Sequence, residues 1–272
     1  MPKNLDSTGL RSIVENYDLF FIDLWGVVHN GIELNKNAIE TLVEISKVKK
    51  NYVLLTNAPR PNNTVKKFLA KMGMDKSILE KVYTSGEAAL NYLKKNHFND
   101  KFFHIGPPRD FDLFLDFKNN KKENINECSY FLCTGLFDKH DQDLNYYKEL
   151  LNKFISKKMI CTNPDLIVDR GEKREFCAGS VAMVFEKMGG QVVYFGKPFP
   201  EVYNQAMDNN KKKILAIGDN FNTDIKGANN MNYDSMIIAN GIHKEEIQKE
   251  GIDKVSKNYE VTINFIQSEL KW

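Results

Sequence analysis

The sequence predicts an α/β fold: a parallel-sheet core domain with a second, smaller α/β domain inserted in its middle. Three observations carry this expectation. Apolar runs of strand length alternate with amphipathic helical patterns from the start of the chain, the same rhythm returns near its end, and the texture between the two stretches is different. At 272 residues the chain also exceeds the usual size of one compact core, which independently favours two domains.

The first rhythm consists of the apolar run Leu19 to Asp23, a helical pattern over Asn37 to Lys49, a second run over Tyr52 to Thr56 and a second helical pattern over Asn63 to Met72. It returns as Val192 to Phe195, a helix after Pro200, and Ile214-Leu215-Ala216-Ile217 ahead of Gly218-Asp219. In between, Asn96 to Lys122 mixes aromatics, a Gly-Pro-Pro break and polar residues, followed by Tyr130 to Thr134 and the amphipathic Leu144 to Phe154. The expected division is 1–82 and 191–272 for the core, with 83–190 as the insert. Two lysine- and asparagine-rich patches, 118–122 and 209–213, read as solvated loops or helix ends.

Composition excludes several classes of function. Hydrophobic residues at 42% and charged residues at 27% are ordinary for a globular protein and argue against disorder. The 38 basic residues nearly cancel the 36 acidic ones, and the lysines are dispersed, so neither nucleic acid nor an anionic membrane is an expected partner. Cys128, Cys133, Cys161 and Cys177 form no close CxxC pair and suit reduced thiols rather than a disulfide framework or a zinc site. No stretch approaches the roughly 20 apolar residues of a membrane span, and the N-terminus has no signal-like apolar segment, so the expected location is cytoplasmic.

Polar groups with a shared chemistry stand at the ends of the apolar runs. Catalytic groups in parallel sheets gather at the carboxyl ends of strands, and Asp23, Thr56 and Asp219 each follow such a run. Asp23 is placed to act as a nucleophile on phosphorus, and Thr56 and Asn57 offer donors for phosphate oxygens. Lys197, held between Gly196 and Pro198, could cancel charge on the nucleophile and on a transferring phosphoryl group. Asp219 and Asp224 lie five positions apart in a loop that enters a helix and suit magnesium, a hard cation that takes one or two carboxylates. For Asp224, holding Lys197 in place or capping a helix are the other readings. Each element alone has an ordinary structural reading, such as a helix cap for Asp23, Thr56 or Asn57 and a solvated surface lysine for Lys197.

In this order the elements resemble the haloacid dehalogenase superfamily. Asp23-Leu24-Trp25-Gly26-Val27, Leu55-Thr56-Asn57, Gly196-Lys197-Pro198-Phe199-Pro200-Glu201-Val202-Tyr203 and Gly218-Asp219-Asn220-Phe221-Asn222-Thr223-Asp224-Ile225 look like its class IIA subgroup, which contains p-nitrophenyl-phosphatase-like and pyridoxal-phosphate-phosphatase-like enzymes. Thr162-Asn163-Pro164-Asp165 followed by Cys177-Ala178-Gly179-Ser180 is similar to the subgroup's large cap, so the likeness covers nearly the whole chain. It implies a Rossmann-like core with an inserted α/β cap and a magnesium-dependent phosphatase for a small-molecule phosphate ester. Asp23 would form an aspartyl-phosphate that water then hydrolyses. It implies metal ligation by Asp23, the main-chain carbonyl of Trp25, Asp219 and Asp224, with Leu24, Trp25, Thr56, Asn57 and Lys197 around the phosphate. Caps of this kind often dimerise, which leaves a homodimer open.

One position departs from the pattern. The second aspartate of the first motif, which protonates the leaving alcohol and later activates water, is here Trp25. Loss of general acid–base assistance typically costs roughly 10²–10⁴-fold in rate, so leaving-group acidity should matter more. His29, six positions after Asp23, and Asp165 in the cap are candidate substitutes. Trp25 leaves two rivals to the phosphatase reading: a phosphate-ligand binding or sensing protein, and a phosphotransferase that delivers to an acceptor other than water. The segment Trp25-Gly26-Val27-Val28-His29-Asn30-Gly31 also looks like a recurrent variant of the first motif, so Trp25 can equally mark a subgroup.

Overall fold

The structure is a computed structural model that describes residues 1–170, 173–207 and 212–272; residues 209–211 of the second lysine- and asparagine-rich patch lie outside the described residues. The chain forms two compact units, the first made of Met1–Thr56, Lys66–Tyr83 and Tyr203–Trp272, the second of Asn57–Val65 and Thr84–Val202. Among the described residues the strands are, in chain order, β1 (Lys3–Asn4), β2 (Leu19–Ile22), β3 (Asn51–Thr56), β4 (Val82–Thr84), β5 (Phe102–Ile105), β6 (Tyr130–Cys133), β7 (Lys158–Cys161), β8 (Ile167–Arg170), β9 (Lys173–Phe176), β10 (Gln191–Tyr194), β11 (Ile214–Gly218), β12 (Asp234–Ile238) and β13 (Phe265–Gln267).

The first unit is built on a sheet of order β1-β13-β12-β11-β2-β3-β4. Its two central strands, Leu19-Phe20-Phe21-Ile22 and Ile214-Leu215-Ala216-Ile217-Gly218, are buried along their whole length, as parallel strands covered on both faces must be. From this central pair the chain winds outward in opposite directions, through β12 and β13 on one side and β3 and β4 on the other. A crevice therefore opens at the carboxyl ends of β2 and β11. Register places Ile22 beside Ile217, and the Asp23 N–H donates to the Ile217 carbonyl at 2.9 Å, which carries the pairing one residue into the loop. The helix Lys36–Lys47 buries Ala38, Thr41, Leu42 and Ile45, one stripe at helical spacing, and Asn35 caps it by accepting from the Asn37 and Ala38 N–H groups at 3.1 and 3.4 Å.

The second unit carries the parallel sheet β10-β7-β6-β5 and a separate antiparallel hairpin, β8–β9. Phe131, Met159, Tyr147, Leu151, Val181 and Phe185 form the centre of its core, brought by two strands and by the helices Leu144–Leu151 and Ala178–Lys187. Tyr147 is fully buried yet satisfied, because its hydroxyl accepts the Phe137 N–H at 2.6 Å. Strand β5 lies inside the stretch Asn96 to Lys122, where no strand was expected from sequence. Its four residues are Phe102, Phe103, His104 and Ile105, apolar or aromatic on both faces, so no alternation marks them. The 3-10 turns over Pro108–Asn120 then add aromatics that blur its end.

A buried polar chain runs through this unit. His104 Nε2 bonds Thr134 Oγ1 at 2.9 Å, and burial pushes the imidazole down to about 3, so it is neutral at ordinary pH. Asp110 is 3% exposed, and its Oδ1 lies 3.8 Å from Arg60 Nε, while Arg60 Nη2 reaches Asp112 Oδ2 at 3.4 Å. Burial raises the Asp110 carboxyl to about 6, against the opposing pull of Thr134, Arg109 and Arg60. The four cysteines are free and buried. No helix among the described residues is long and apolar enough to cross a membrane.

Two outcomes are expected. Cys128, Cys133, Cys161 and Cys177 should resist a thiol reagent in the native protein and all react after denaturation, and fast reaction of any of them in the native state would contradict the burial. Asp110 binds its proton more tightly folded than unfolded, so its stabilisation is complete below about pH 4 and is lost as pH rises through about 6. The loss is at most ~3 kcal/mol for a shift of this size. Asp110→Asn should remove that component from the pH dependence of thermal unfolding.

Candidate active site

In the first unit the carboxyl ends of the two central strands bring three carboxylates together. Asp23 follows β2, Asp219 follows β11, and Asp224 sits in the turn Phe221–Ile225 that starts the helix Lys226–Asn230. They are 8%, 6% and 4% exposed, and one oxygen from each lies within 4.8 Å of the others. The backbone is shaped around them. Gly26 has φ +82°, where a side chain is strained, and a Cβ built on it would fall 2.1 Å from Asp219 Oδ2. A Cβ on Gly218 would fall 2.0 Å from Asp224 Cγ. Two main-chain N–H groups hold the acids in place: Ile242 donates to Asp219 Oδ2 at 2.9 Å and Asn220 to Asp224 Oδ2 at 3.1 Å. Asn220 itself caps the turn by accepting from the Asn222 N–H at 2.9 Å.

The donor set fits a hard divalent cation. It consists of carboxylate oxygens without sulfur or imidazole, and like charges brought this close out of water need a compensating positive charge. Thr56 ends β3, the strand next to β2, and is 7% exposed. Leu24 is buried, at 1% exposure.

The loop after Asp23 is a tight, self-bonded turn. The Val28 and His29 N–H groups both donate to the Leu24 carbonyl, at 2.8 and 3.0 Å, and the Gly26 N–H donates to the His29 carbonyl at 2.8 Å. Trp25 packs edge-on against His29 with ring centroids 5.0 Å apart, and a Cβ on Gly31 would strike the indole at 2.6 Å. His29 is 5% exposed, touches Phe68 with centroids 6.0 Å apart, and accepts the Gly31 N–H on Nδ1 at 3.0 Å. That bond leaves Nε2 as the nitrogen that carries the proton of the neutral ring.

In the second unit Lys197, Asn57 and Asp165 form a cluster. The Asn57 amide clasps the main chain of Lys197: its Oδ1 accepts the Lys197 N–H at 2.7 Å and its Nδ2 donates to the Lys197 carbonyl at 2.9 Å. The second amide hydrogen goes to Asp165 Oδ1 at 3.1 Å. Both hydrogens of the Asn57 side-chain amide are thus engaged within the unit. Lys197 is 4% exposed, and the residue before it, Gly196, has φ +125° with Asn57 Oδ1 only 2.6 Å from where a Cβ would stand. Asp165 also accepts at its main chain, from the Gly179 N–H at 3.2 Å, and its own N–H donates to Asn163 Oδ1 at 3.0 Å.

The structure thus joins Asp23, Asp219 and Asp224 in one unit and Asn57, Lys197 and Asp165 in the other. Sequence reasoning passed over Gly241-Ile242, whose N–H braces Asp219; the available signal was a glycine just past the buried strand β12.

Residues 20–117 match the family described as haloacid dehalogenase-like hydrolase, and residues 194–261 match the family described as HAD-hydrolase-like. The chain is similar to phosphoglycolate phosphatase 2 of Arabidopsis thaliana, 23% identical over 95% of this chain and 94% of that protein. It is also similar to the acid sugar phosphatase of Staphylococcus epidermidis, 25% identical over 88% of this chain and 93% of that protein. Among solved structures, a haloacid dehalogenase-like hydrolase from Brucella suis superposes with a TM-score of 0.83 at 28% identity, covering 99% of this chain and 100% of the other.

Gly26→Ala should leave the chain folded but weaken binding of a divalent cation by roughly tenfold or more, since about 1.4 kcal/mol of displaced carboxylate suffices for a factor of ten. Calorimetric titration of magnesium into parent and variant measures it. Equal affinities would show that Gly26 does not shape the site.

Proposed function

Because the chain belongs to the haloacid dehalogenase-like hydrolases, we propose that it is a magnesium-dependent phosphatase acting on a small phosphorylated metabolite. The observation that carries the proposal is the cluster of Asp23, Asp219 and Asp224 at the ends of the two central strands. The names of the relatives, which mention phosphoglycolate and acid sugar phosphates, support a small phosphorylated substrate. The residues of the second unit, 84–202 with 57–65, correspond in this reading to the cap that selects the substrate. The buried free thiols support a reducing, cytoplasmic setting.

In the proposed reaction a carboxylate oxygen of Asp23 attacks phosphorus, a new O–P bond forms, and the O–P bond to the ester oxygen breaks. The leaving alkoxide departs with the electron pair of that bond and takes a proton from solvent water. Water then adds to phosphorus and gives up a proton to solvent, the aspartyl O–P bond breaks, and phosphate is released with the Asp23 carboxylate restored. Asp23, Asp219, Asp224 and the main-chain carbonyl of Trp25 would hold the magnesium ion, which supplies charge neutralisation for the phosphoryl oxygens. Thr56 donates to those oxygens in this scheme. Lys197 is assigned the task of opposing phosphoryl charge from the order of the motifs. Asn57 acts on the reaction by fixing the main chain of Lys197.

Trp25 sets the character of the enzyme. Its ring is part of the packing of the first-motif loop, with His29 and Gly31 built around it, which supports a settled variant of the motif rather than a damaged one. Indole cannot protonate a leaving alcohol, so the enzyme should favour esters whose leaving group departs without a proton.

A panel of phosphomonoesters tests this reading. With magnesium present, the parent should release phosphate from p-nitrophenyl phosphate or an acyl phosphate faster than from an alkyl phosphate by roughly 10²–10⁴-fold, the usual worth of general acid–base help. Asp23→Asn should abolish release while the fold persists. If no ester turns over and Trp25→Asp creates activity, the chain is a binding protein rather than an enzyme. Phosphorylated acceptor in place of free phosphate would mark a transferase.

A further inference from the structure

The second unit contains a cavity of about 610 Å³ that none of the residues assigned above lines. Its volume falls within the range of small-molecule sites. The lining is unusual in composition: apart from Pro108 its apolar walls are aromatic rings, from Phe103, Phe111, Phe114, Phe137 and Tyr146, with no leucine, isoleucine, valine or methionine among them. Phe137 meets Phe103 and Tyr146 edge-on, with centroids 6.5 and 6.2 Å apart, an orientation that aromatic groups favour, and the His140 ring lies over Tyr146. His104 is buried and neutral, so it adds another ring to the wall and no charge.

Charge at the cavity is positive. Lys121, Lys122 and Lys139 line it against two acids, Glu123 and Asp138, and Glu123 is engaged by Lys121 at 2.7 Å. Phe111 is 54% exposed, a large ring left in water at a cavity it helps to line. The exposed part of that ring is available to cover a ligand.

We propose that this cavity is a binding site for a planar aromatic anion of the size of a nucleoside monophosphate, its ring held among the aromatic walls and its charge met by the lysines. Aliphatic side chains would serve any apolar group, whereas ring walls favour a flat partner that can stack or meet edges. Lysine is a mobile point charge, suited to a phosphate or carboxylate whose position is fixed chiefly by the ring it carries. The site does not depend on the phosphatase reading, since it shares no residue with the acidic cluster and requires no turnover.

The test is calorimetric titration of the 272-residue chain, with a chelator to remove divalent cations from the acidic cluster. Adenosine 5′-monophosphate is the probe, and adenosine and ribose 5-phosphate are its two halves. The complete probe should bind saturably and at least roughly tenfold more tightly than either half, a difference of about 1.4 kcal/mol. Phe111→Ala and Lys139→Glu, both at exposed positions where the fold should be indifferent, should each weaken it by a factor of about ten. Ribose 5-phosphate binding as tightly as the complete probe would overturn the proposal, because the rings would then contribute nothing. Affinity unchanged in both variants, or no saturable binding at millimolar probe, would overturn it as well. Retained thermal unfolding midpoints in the variants separate loss of the site from loss of the fold.

Discussion

The convergence of Asp23, Asp219 and Asp224 is the constraint around which the first unit is organised. Three carboxylates, each at most 8% exposed, have an oxygen within 4.8 Å of one another. Among the groups that hold them there are the pairing of β2 with β11, continued through the Asp23 N–H, and the N–H groups of Asn220 and Ile242. The buried central strands therefore do two things at once: they supply apolar burial, and they hold unfavourable charge where a cation can be captured. Glycine at positions 26 and 218 is required by the same crowding.

Much of this could be read from the sequence, because a strand buried on both faces is a continuous apolar run and its end is marked by the first polar residue. Asp23, Thr56 and Asp219 are legible in that way, as are β2, β3 and β11. Strand β5 and the hairpin β8–β9 are not, since the former has no polar face and the latter pairs only four residues with four. The partners of the Asn57 side chain are not legible either. Threonine and asparagine after a strand suggest donors for a ligand, and nothing local reveals that the amide grips a backbone 140 residues away. Long-range hydrogen bonds between a side chain and a distant main chain leave no periodicity behind.

Trp25 illustrates the opposite case, a residue whose oddity was visible at once but whose meaning was not. Read against the motif it is the absence of an acid. In the fold it is a packed ring whose neighbours accommodate it: His29 turns its edge to it, and Gly31 leaves the space a side chain would occupy. Restoring a carboxyl at this position therefore also removes a piece of the loop's packing, so chemical and structural effects of such a change must be separated.

The path of the chain between the two units has a practical consequence for anyone who would exchange parts among relatives. The polypeptide passes from one unit to the other after Thr56, after Val65, after Tyr83 and after Val202. A transplant cut only at the two outer joints of 84–202 would leave behind 57–65, and with it Asn57 and Arg60, whose partners Lys197, Asp165, Asp110 and Asp112 would arrive from a different ancestor. The hereditary module is thus discontinuous, and recombination that respects it must carry the short segment along with the long one.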